Sequence, residues 1–187
     1  EEDPADEMGD DLPYVDLGSG RTVKAISMAH VSGYSSSLVE VSSYCAILDN
    51  DRLKCWGWAP GYGDSVARGS TPGDTGGDLP YLNIGSDDNL SRVTAVAVSP
   101  EHVCAILLPN NRIKCWGSNG SGQLGLGDTL TRGRSSGTMG DNLPYVDLGT
   151  GRTAKSLAVG SKYSCALLDN DRVKCWGKYA ATGHGDL

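Results

Sequence analysis

The chain has 187 residues, which is enough for one domain with a hydrophobic core and too few to assume two. Its 23 acidic residues outnumber 16 Lys and Arg and give a formal net charge of −7, so a nucleic-acid surface, which needs a basic stripe, is not expected. No stretch approaches the roughly 18 apolar residues of a membrane span, whereas 26 glycines and 8 prolines indicate many tight turns and short strands.

Three blocks built around Leu-Pro-Tyr recur along the chain, and each is followed by a run of β-forming residues. The blocks occupy residues 11–18, 78–85 and 142–149. The β-forming runs occupy residues 22–29, 92–99 and 153–159. Because none of these segments shows sustained 3.6-residue periodicity, we expect short strands rather than helices.

Further along each repeat, two apolar runs flank a tetrad rich in Asn and Asp. The second run is Lys-Cys-Trp-Gly, which begins at Lys54, Lys114 and Lys174, at intervals of 60 residues. Asn and Asp tolerate positive φ and hydrogen-bond their own backbone, so each pair of runs predicts a β-hairpin. Each repeat therefore offers about four short antiparallel strands, as a propeller blade requires.

Cysteines occur once in each of these apolar runs and so form three pairs. The pairs are Cys45 and Cys55, Cys104 and Cys115, and Cys165 and Cys175. If each pair flanks a hairpin turn, its Cβ atoms face each other across adjacent strands, close enough for a disulfide. Six free thiols in a reducing compartment are the alternative, and zinc is disfavoured because short Cys-x-x-Cys spacing is missing. Bridged pairs predict an oxidising location: the outside of a cell, a periplasm or an organelle lumen.

The repeated pattern joins Cys-Ala-Ile/Leu-Leu, a polar turn and Arg-x-Lys-Cys-Trp-Gly. After Cys115 it continues through Gly-Gln-Leu-Gly at residues 122–125. This pattern resembles the regulator of chromosome condensation repeat, in the cysteine-containing form found in many bacterial and algal proteins. The resemblance extends over essentially the whole chain. It implies a β-propeller, usually of about seven blades, that works by binding partners.

We predict an all-β fold over residues 1–187, made of three propeller blades of about four short antiparallel strands each. The repeat units extend over about residues 8–57, 74–117 and 139–177, and residues 178–187 begin a further unit. Closed propellers typically have about 4 to 8 blades. We therefore expect the chain to be part of a larger or permuted propeller, or to assemble with further copies.

Partner contacts are expected where the chain departs from the repeat, because loop tips on repeat scaffolds carry the variable contacts. The first unit holds an insertion of 11 residues around residues 30–40. Trp58, Tyr62, Tyr34 and Tyr179 lie in non-repeating loops, where an aromatic side chain is a suitable anchor for a protein partner. The alternative is that these side chains merely cap a loop.

The tryptophans that recur with the repeat are instead assigned to packing within or between blades. They are Trp56, Trp116 and Trp176. Each directly follows the second cysteine of its hairpin, so its position is fixed by the blade rather than by a variable loop.

Motifs for catalysis are not apparent, so neither enzymatic activity nor a cofactor or metal is expected. The three histidines, His30, His102 and His184, do not recur with the repeat. No Gly-x-Ser-x-Gly elbow, P-loop or His-Glu-x-x-His segment is present. Calcium ligation by the Asp-Asn-Asp turns at Asp49 and Asp169 is disfavoured, because the later Gly and Glu of an EF-hand loop are missing and a hairpin turn explains them.

Two sequons for N-glycosylation begin at Asn89 and Asn119 and are usable only in a eukaryotic secretory route. Asn119 already has a turn role in an Asn-Gly pair, so Asn89 is the better candidate of the two.

We predict a non-catalytic protein-binding propeller module in an oxidising compartment, which contacts its partner through non-repeating rim loops. A structural accessory subunit of a large extracytosolic or lumenal complex, including one peripheral to a membrane, is the first alternative. The second is guanine-nucleotide exchange on a small GTPase, which the resemblance implies for the founding nuclear member of the family. The net charge of −7 and the paired cysteines both oppose it.

Overall fold

The structure is a computed structural model, which describes residues 9–31, 41–58, 61–69, 71, 74–85 and 91–178. Within these residues the chain forms nine β-strands, two single-turn 3-10 helices and no α-helix, so the predicted all-β fold is confirmed. The strands are β1 (Val23–Val31), β2 (Val41–Leu48), β3 (Leu53–Gly57), β4 (Val93–Val98), β5 (His102–Leu107), β6 (Arg112–Gly117), β7 (Ala154–Val159), β8 (Tyr163–Leu168) and β9 (Val173–Gly177). The 3-10 helices are Gly9–Asp11 and Gly140–Asn142. Neither described helix has the length to cross a bilayer.

Three antiparallel sheets of three strands follow one another along the chain, and each sheet is one repeat unit. The first unit is β1-β2-β3, the second is β4-β5-β6 and the third is β7-β8-β9. The turn before the last strand of each unit holds one residue in the left-handed region, at φ 64° for Asp51, 51° for Asn111 and 61° for Asp171. Asn and Asp adopt this conformation at low cost, so the polar tetrads form the predicted hairpins.

The fourth strand predicted for each unit is not confirmed among the described residues. The Leu-Pro-Tyr blocks, which complete the predicted set of four, form no strand. After the first unit, Gly57 exchanges backbone hydrogen bonds of 2.7 and 3.1 Å with Arg68 in a single bridge. Gly117 and Arg132 form the same bridge in the second unit. The segment between Gly117 and Arg132 contains four glycines. Glycine weakens a strand, so pairing is confined to one residue.

The second unit packs against both of its neighbours, because successive side chains along a strand point to opposite faces. The side chains that pack towards the first unit are Val93, Val103, Ala105, Leu107 and Trp116. The side chains that pack towards the third unit are Cys104, Ile106, Ile113 and Cys115. All of them are buried, so the core forms two layers. We call the contact between two successive units a junction.

Each junction is closed by a Leu-Pro-Tyr block that lies along the last strand of the preceding unit. At the first junction the Leu82 N–H donates to the Leu53 carbonyl over 2.8 Å, and at the second the Val146 N–H donates to the Ile113 carbonyl over 2.9 Å. The blocks thus link neighbouring units through the backbone without forming strands of their own.

An arginine and a tyrosine also meet across each junction. The guanidinium carbon of Arg52 lies 3.9 Å from the ring centroid of Tyr81. That of Arg112 lies 3.5 Å from the ring centroid of Tyr145. Both distances place the cation directly over the negative face of the ring, where the attraction is largest.

A buried lysine completes each junction by donating to a carbonyl of the following unit. The Lys54 ammonium donates to Gly76 over 2.6 Å, and the Lys114 ammonium donates to Gly140 over 3.0 Å. Burial lowers the pKa of Lys54. Each of these glycines precedes its Leu-Pro-Tyr block by the same distance and has positive φ, at 76° and 68°.

The three predicted disulfides are present, and each joins residues that pair directly across neighbouring strands. They are Cys45–Cys55, Cys104–Cys115 and Cys165–Cys175. The Cα atoms of each pair lie 4.1 Å apart, close to the spacing of a non-hydrogen-bonded antiparallel pair. The first two bridges are buried at the junctions, whereas the third is half-buried on the outer face of the third unit.

The insertion predicted in the first unit lengthens its first hairpin. Strands β1 and β2 have 9 and 8 residues, whereas β4 and β5 have 6 each. The added pairs include His30 and Ser42, whose Nδ1 and Oγ atoms lie 2.9 Å apart. The first unit therefore extends beyond the others at this end.

Candidate protein-binding surface

The outer face of the first unit exposes apolar side chains that the other units cover. This first-unit face consists of Tyr14, Val15, Val23, Ile26 and Met28, which are 100%, 61%, 49%, 64% and 56% exposed. In the second and third units, the residues that correspond to Val15 are Leu82 and Val146, and those that correspond to Val23 are Val93 and Ala154. All four are at most 7% exposed. The first unit thus presents, open to solvent, a surface that is buried at each junction.

A groove of about 670 Å³ lies in this face. Its lining includes Ile26, Met28, Tyr44, Trp56 and Trp58. The rings of Tyr44 and Trp56 are stacked, with centroids 5.5 Å apart and an interplanar angle of 10°. The groove therefore has a flat aromatic floor and flexible aliphatic walls. We call it the Trp58 groove.

Trp58 is held at the edge of this groove by its backbone. Its N–H donates to the Ser42 carbonyl over 3.0 Å, and its own carbonyl accepts a hydrogen bond of 3.0 Å from the Ser43 hydroxyl. Its side chain is 48% exposed. In the other units the same backbone position is occupied by Ser118 and Lys178. The backbone hydrogen bond therefore recurs in all three units, whereas the indole side chain does not.

Tyr62 occupies a different environment from the exposed anchor that the sequence predicts. Its hydroxyl accepts from the Cys55 N–H over 3.3 Å and donates to the Pro80 carbonyl over 2.9 Å, while the Arg68 guanidinium covers its ring. Burial raises the pKa of Tyr62 to about 12. Tyr62 therefore fixes the loop from within, and we do not retain it as a partner contact.

The loops that follow Trp-Gly are held by an aspartate and an arginine four residues apart. Arg68 pairs with Asp64 over 2.8 Å, and Arg132 pairs with Asp128 over 2.8 Å. The hydrogen bond from Arg68 lowers the pKa of the Asp64 carboxyl. Sequence inspection missed this recurring Asp-x-x-x-Arg spacing, although its repetition was visible. The pair gives the rim of the Trp58 groove a fixed conformation.

Trp116 and Trp176 pack between units, as predicted, whereas the third recurrent tryptophan, Trp56, lines the Trp58 groove. Trp116 is fully buried and lies against Gly61, in the loop that follows the first unit. Trp176 lies against Gly125, and its Nε1 donates to the Gln123 carbonyl over 3.0 Å. Any side chain at either glycine would overlap the indole, so each tryptophan is covered by a glycine of the preceding unit.

His102 joins the second and third units from a buried position. The Ser164 hydroxyl donates to the Gln123 carbonyl over 2.9 Å, so it accepts from His102 Nε2, which is 2.7 Å away. Nδ1 faces the Ser99 hydroxyl at 2.9 Å. Burial lowers the pKa of His102 to about 4, which keeps the ring neutral. His102 therefore links the β4–β5 turn of the second unit to Ser164 of the third unit.

The structure argues against glycosylation at Asn119. Its side chain is fully buried, and the Nδ2 atom that would carry the glycan donates to the carbonyl and carboxylate of Asp128 over 2.9 and 3.0 Å. Its Oδ1 accepts from the Leu124 N–H. The other predicted positions Tyr34, Asn89 and Tyr179, like His184, lie outside the described residues.

The carboxylates of the Asp-Asn-Asp turns are engaged with cationic side chains of the preceding strand region. Asp49 pairs with Arg21 over 3.2 Å, and Asp51 pairs with Lys24. The third unit repeats both pairs. These turns are therefore stabilised by local ion pairs.

Two stretches of the chain, residues 93–123 and 154–178, match the Regulator of chromosome condensation (RCC1) repeat. The first stretch contains β4, β5 and β6 with the glycine-rich segment that follows, and the second contains β7, β8 and β9. Over these two stretches the chain is similar to the RCC1 repeat, as its Cys-Ala-Leu-Leu and Lys-Cys-Trp-Gly pattern predicts.

Two solved structures have a fold similar to that of this chain. Human WBSCR16 is 16% identical over 85% of this chain and 35% of that chain, with a TM-score of 0.54. Yeast RCC1 (Prp20), solved bound to Kap60, is 18% identical over 73% of this chain and 28% of that chain, with a TM-score of 0.51. The matched region of this chain spans 28–35% of the length of these proteins. The similarity defines an RCC1-like propeller fold.

Proposed function

We propose that the chain is a non-catalytic protein-binding module of an oxidising, extracytosolic compartment, and that the Trp58 groove holds its protein partner. The observation that carries the proposal is the exposed Trp58 indole beside an apolar groove of about 670 Å³. Among the described residues that line this groove, Arg68 alone carries a charge. Depletion of charge at the centre and enrichment of aromatic residues and Met are typical of a protein interface.

The groove favours protein binding for two physical reasons. Tryptophan is the residue type most enriched among energetic anchors, and Met28 can adjust its unbranched side chain to an irregular partner. The backbone of Trp58 is already fixed to Ser42 and Ser43, so binding orders few additional groups. The surface thus combines a large apolar anchor with a low entropic cost.

The disulfides support the assignment to an oxidising, extracytosolic compartment. Disulfides persist in secreted, periplasmic and lumenal proteins and are rare where glutathione keeps thiols reduced. Each of the three sheets contains one bridge, Cys45–Cys55 lies in the sheet on which the groove is built, and the described residues include no free cysteine. This chemistry supports an extracytosolic location and opposes a role in nuclear nucleotide exchange.

Structures of similar fold support binding as the general role. Yeast RCC1 (Prp20) is described bound to Kap60, and a second Prp20p structure, 18% identical with a TM-score of 0.50, is described with binding to Gsp1p and histones. Those partners belong to the yeast protein. What we carry over is only that this fold presents surfaces to other proteins.

Affinity capture with single-residue variants tests the proposal. We expect Trp58→Ala to reduce capture of a specific extracytosolic protein at least tenfold, because an anchor residue is worth about 2 kcal/mol or more. Leu130→Ala is the matched control, since Leu130 is also exposed, at 63%, but lies on a different loop. Equal capture by Trp58→Ala, Leu130→Ala and the unmodified chain would remove the groove from the binding surface.

A further inference from the structure

A second cavity, of about 380 Å³, opens at the second junction and is lined by other residues than the Trp58 groove. The second unit contributes Asn110 and Arg112 to its lining, and residues between 145 and 153 form the rest. Its volume is within the range of small-molecule sites, about 300–1,000 Å³. The cavity can therefore hold one ligand of the size of a single pyranose ring. We call it the Arg112 cavity.

Arg112 presents to this cavity a guanidinium whose position is already fixed. The guanidinium carbon lies 3.5 Å from the ring centroid of Tyr145, and the side chain is exposed. Within the part of the chain that the structure describes, its N–H groups have no hydrogen-bond partner. Stacking on the ring holds the plane of the guanidinium and leaves the N–H groups at its edge free to donate. Such an edge matches the two oxygens of a carboxylate.

Two further charged side chains line the Arg112 cavity. Arg152 pairs with Asp169 through Nη1 over 3.2 Å and is 36% exposed. The Oδ1 atom of Asp147 accepts from the Gly149 N–H over 2.8 Å, whereas its Oδ2 has no partner among the described residues. A ligand that satisfies this cavity must therefore offer an anionic acceptor to Arg112 and a hydrogen-bond donor to Asp147.

The first junction lacks this combination of charges. The residue that corresponds to Asp147 is Asn83. Two residues before β4 the chain has Ser91, whereas two residues before β7 it has Arg152. Two units therefore pack together without the charges of Asp147 and Arg152, and at the second junction these charges are available to a ligand.

We infer that the Arg112 cavity binds a sugar acid, in which a carboxylate and hydroxyl groups lie on neighbouring carbons of one ring. The carboxylate pairs with the guanidinium edge of Arg112, and a ring hydroxyl donates to Oδ2 of Asp147. An α-amino acid is disfavoured, because its ammonium would share a small cavity with the guanidiniums of Arg112 and Arg152. A phosphate dianion is disfavoured because Asp147 repels its second charge. The inference is independent of the Trp58 groove, which lies on the first unit.

Titration with small probes, followed by amide NMR spectra of the chain, tests the ligand class. We expect D-glucuronate to bind with a dissociation constant of about 1 mM, as is typical of so small a ligand, and to shift the amide signals of residues 147–153. Acetate, glucose, glycine and inorganic phosphate each lack or alter one required group and should bind about tenfold more weakly or not at all. Acetate or phosphate binding as tightly as glucuronate would reduce the site to an adventitious anion only and overturn the inference. Failure of glucuronate to bind, or shifts confined to other residues, would also overturn it.

A matched pair of variants assigns the carboxylate contact to Arg112. Arg112→Lys keeps the positive charge but loses the planar fork, so glucuronate should bind about tenfold more weakly. Arg52→Lys is the control, because Arg52 covers Tyr81 at the first junction and does not line the cavity. Circular dichroism checks that both variants fold. Equal affinity of the two variants for glucuronate would contradict the assignment.

A second pair assigns the donor contact to Asp147. Asp147→Asn keeps the acceptor for the Gly149 N–H but removes the charge that excludes phosphate. We expect this variant to bind glucuronate more weakly and phosphate about tenfold more tightly than the unmodified chain does. Asp16→Asn is the control, because Asp16 accepts from the Gly18 N–H in the equivalent turn of the first unit, outside the cavity. If phosphate remains excluded from Asp147→Asn, Asp147 does not face the ligand and the inference fails.

Discussion

The second unit and the first unit share one sequence pattern but differ in how much of it is covered. In the second unit, a neighbour packs on each face, and Trp116 is fully buried. In the first unit, the equivalent Trp56 forms the floor of an open groove beside exposed Ile26 and Met28. The repeated sequence therefore determines the sheet, whereas the presence of a neighbouring unit determines whether an equivalent side chain is buried in the core or lies at a surface.

Truncation of the two equivalent tryptophans gives the largest expected effect. Trp116→Ala should lower the free energy of unfolding by about 3–5 kcal/mol, because it leaves a large cavity within a closed junction. Trp56→Ala should cost less, since Trp56 is 9% exposed at the floor of an open groove and water can enter part of the space that the ring leaves. Urea denaturation followed by circular dichroism measures both. Equal losses of unfolding free energy in the two variants would show that packing against a neighbouring unit contributes little to the stability that each tryptophan provides.

Acid should weaken the second junction more than the first. Burial holds the pKa of His102 at about 4 in the folded chain, below its ordinary value of 6.5, so the unfolded chain binds the proton first as the pH falls. The stability that neutral His102 provides is complete above pH 6.5 and is lost as the pH falls towards 4. Between pH 7 and pH 4.5 we expect a loss of about 2.5 kcal/mol.

The matched variant for this acid effect is His102→Gln, which retains hydrogen bonding without titrating in this range. The nearby Glu101 raises the pKa of His102 and so moderates the effect. Ser43 occupies the corresponding position of the first unit, so the first junction lacks this group. Parallel pH profiles of unfolding free energy for the unmodified chain and His102→Gln would show that His102 is not the source.

Local chemistry made the hairpins predictable. The left-handed residues Asp51, Asn111 and Asp171 lie where Asn and Asp are tolerated, and a short turn between two cysteines leaves one plausible partner for each. The exposed position of Trp58 was also predictable from the sequence, because a side chain that does not recur cannot belong to a core that repeats. These features depend on neighbours within a few residues.

Features set by through-space contacts were missed. Tyr62 and Trp58 both lie in non-repeating loops, yet the Tyr62 hydroxyl finds the Pro80 carbonyl 18 residues away. Asn119 fits a sequon, but its amide is taken up by Asp128, nine residues further along. The path of a glycine-rich loop decides both contacts, and a local motif does not encode that path. The same glycines explain why the segment after each of the first two Trp-Gly pairs is joined to its sheet by a single bridge.

The smallest predicted effect concerns two equivalent arginines, Arg112 at the second junction and Arg172 on the outer face of the third unit. Arg112 lies 3.5 Å from the Tyr145 ring centroid, so Arg112→Ala should destabilise the chain by about 1 kcal/mol. Arg172→Ala should leave the unfolding midpoint unchanged, because Tyr145 has no counterpart beyond the third unit among the described residues. An effect of Arg172→Ala equal to that of Arg112→Ala would show that the cost lies within each hairpin, and that the ring across the junction contributes nothing measurable.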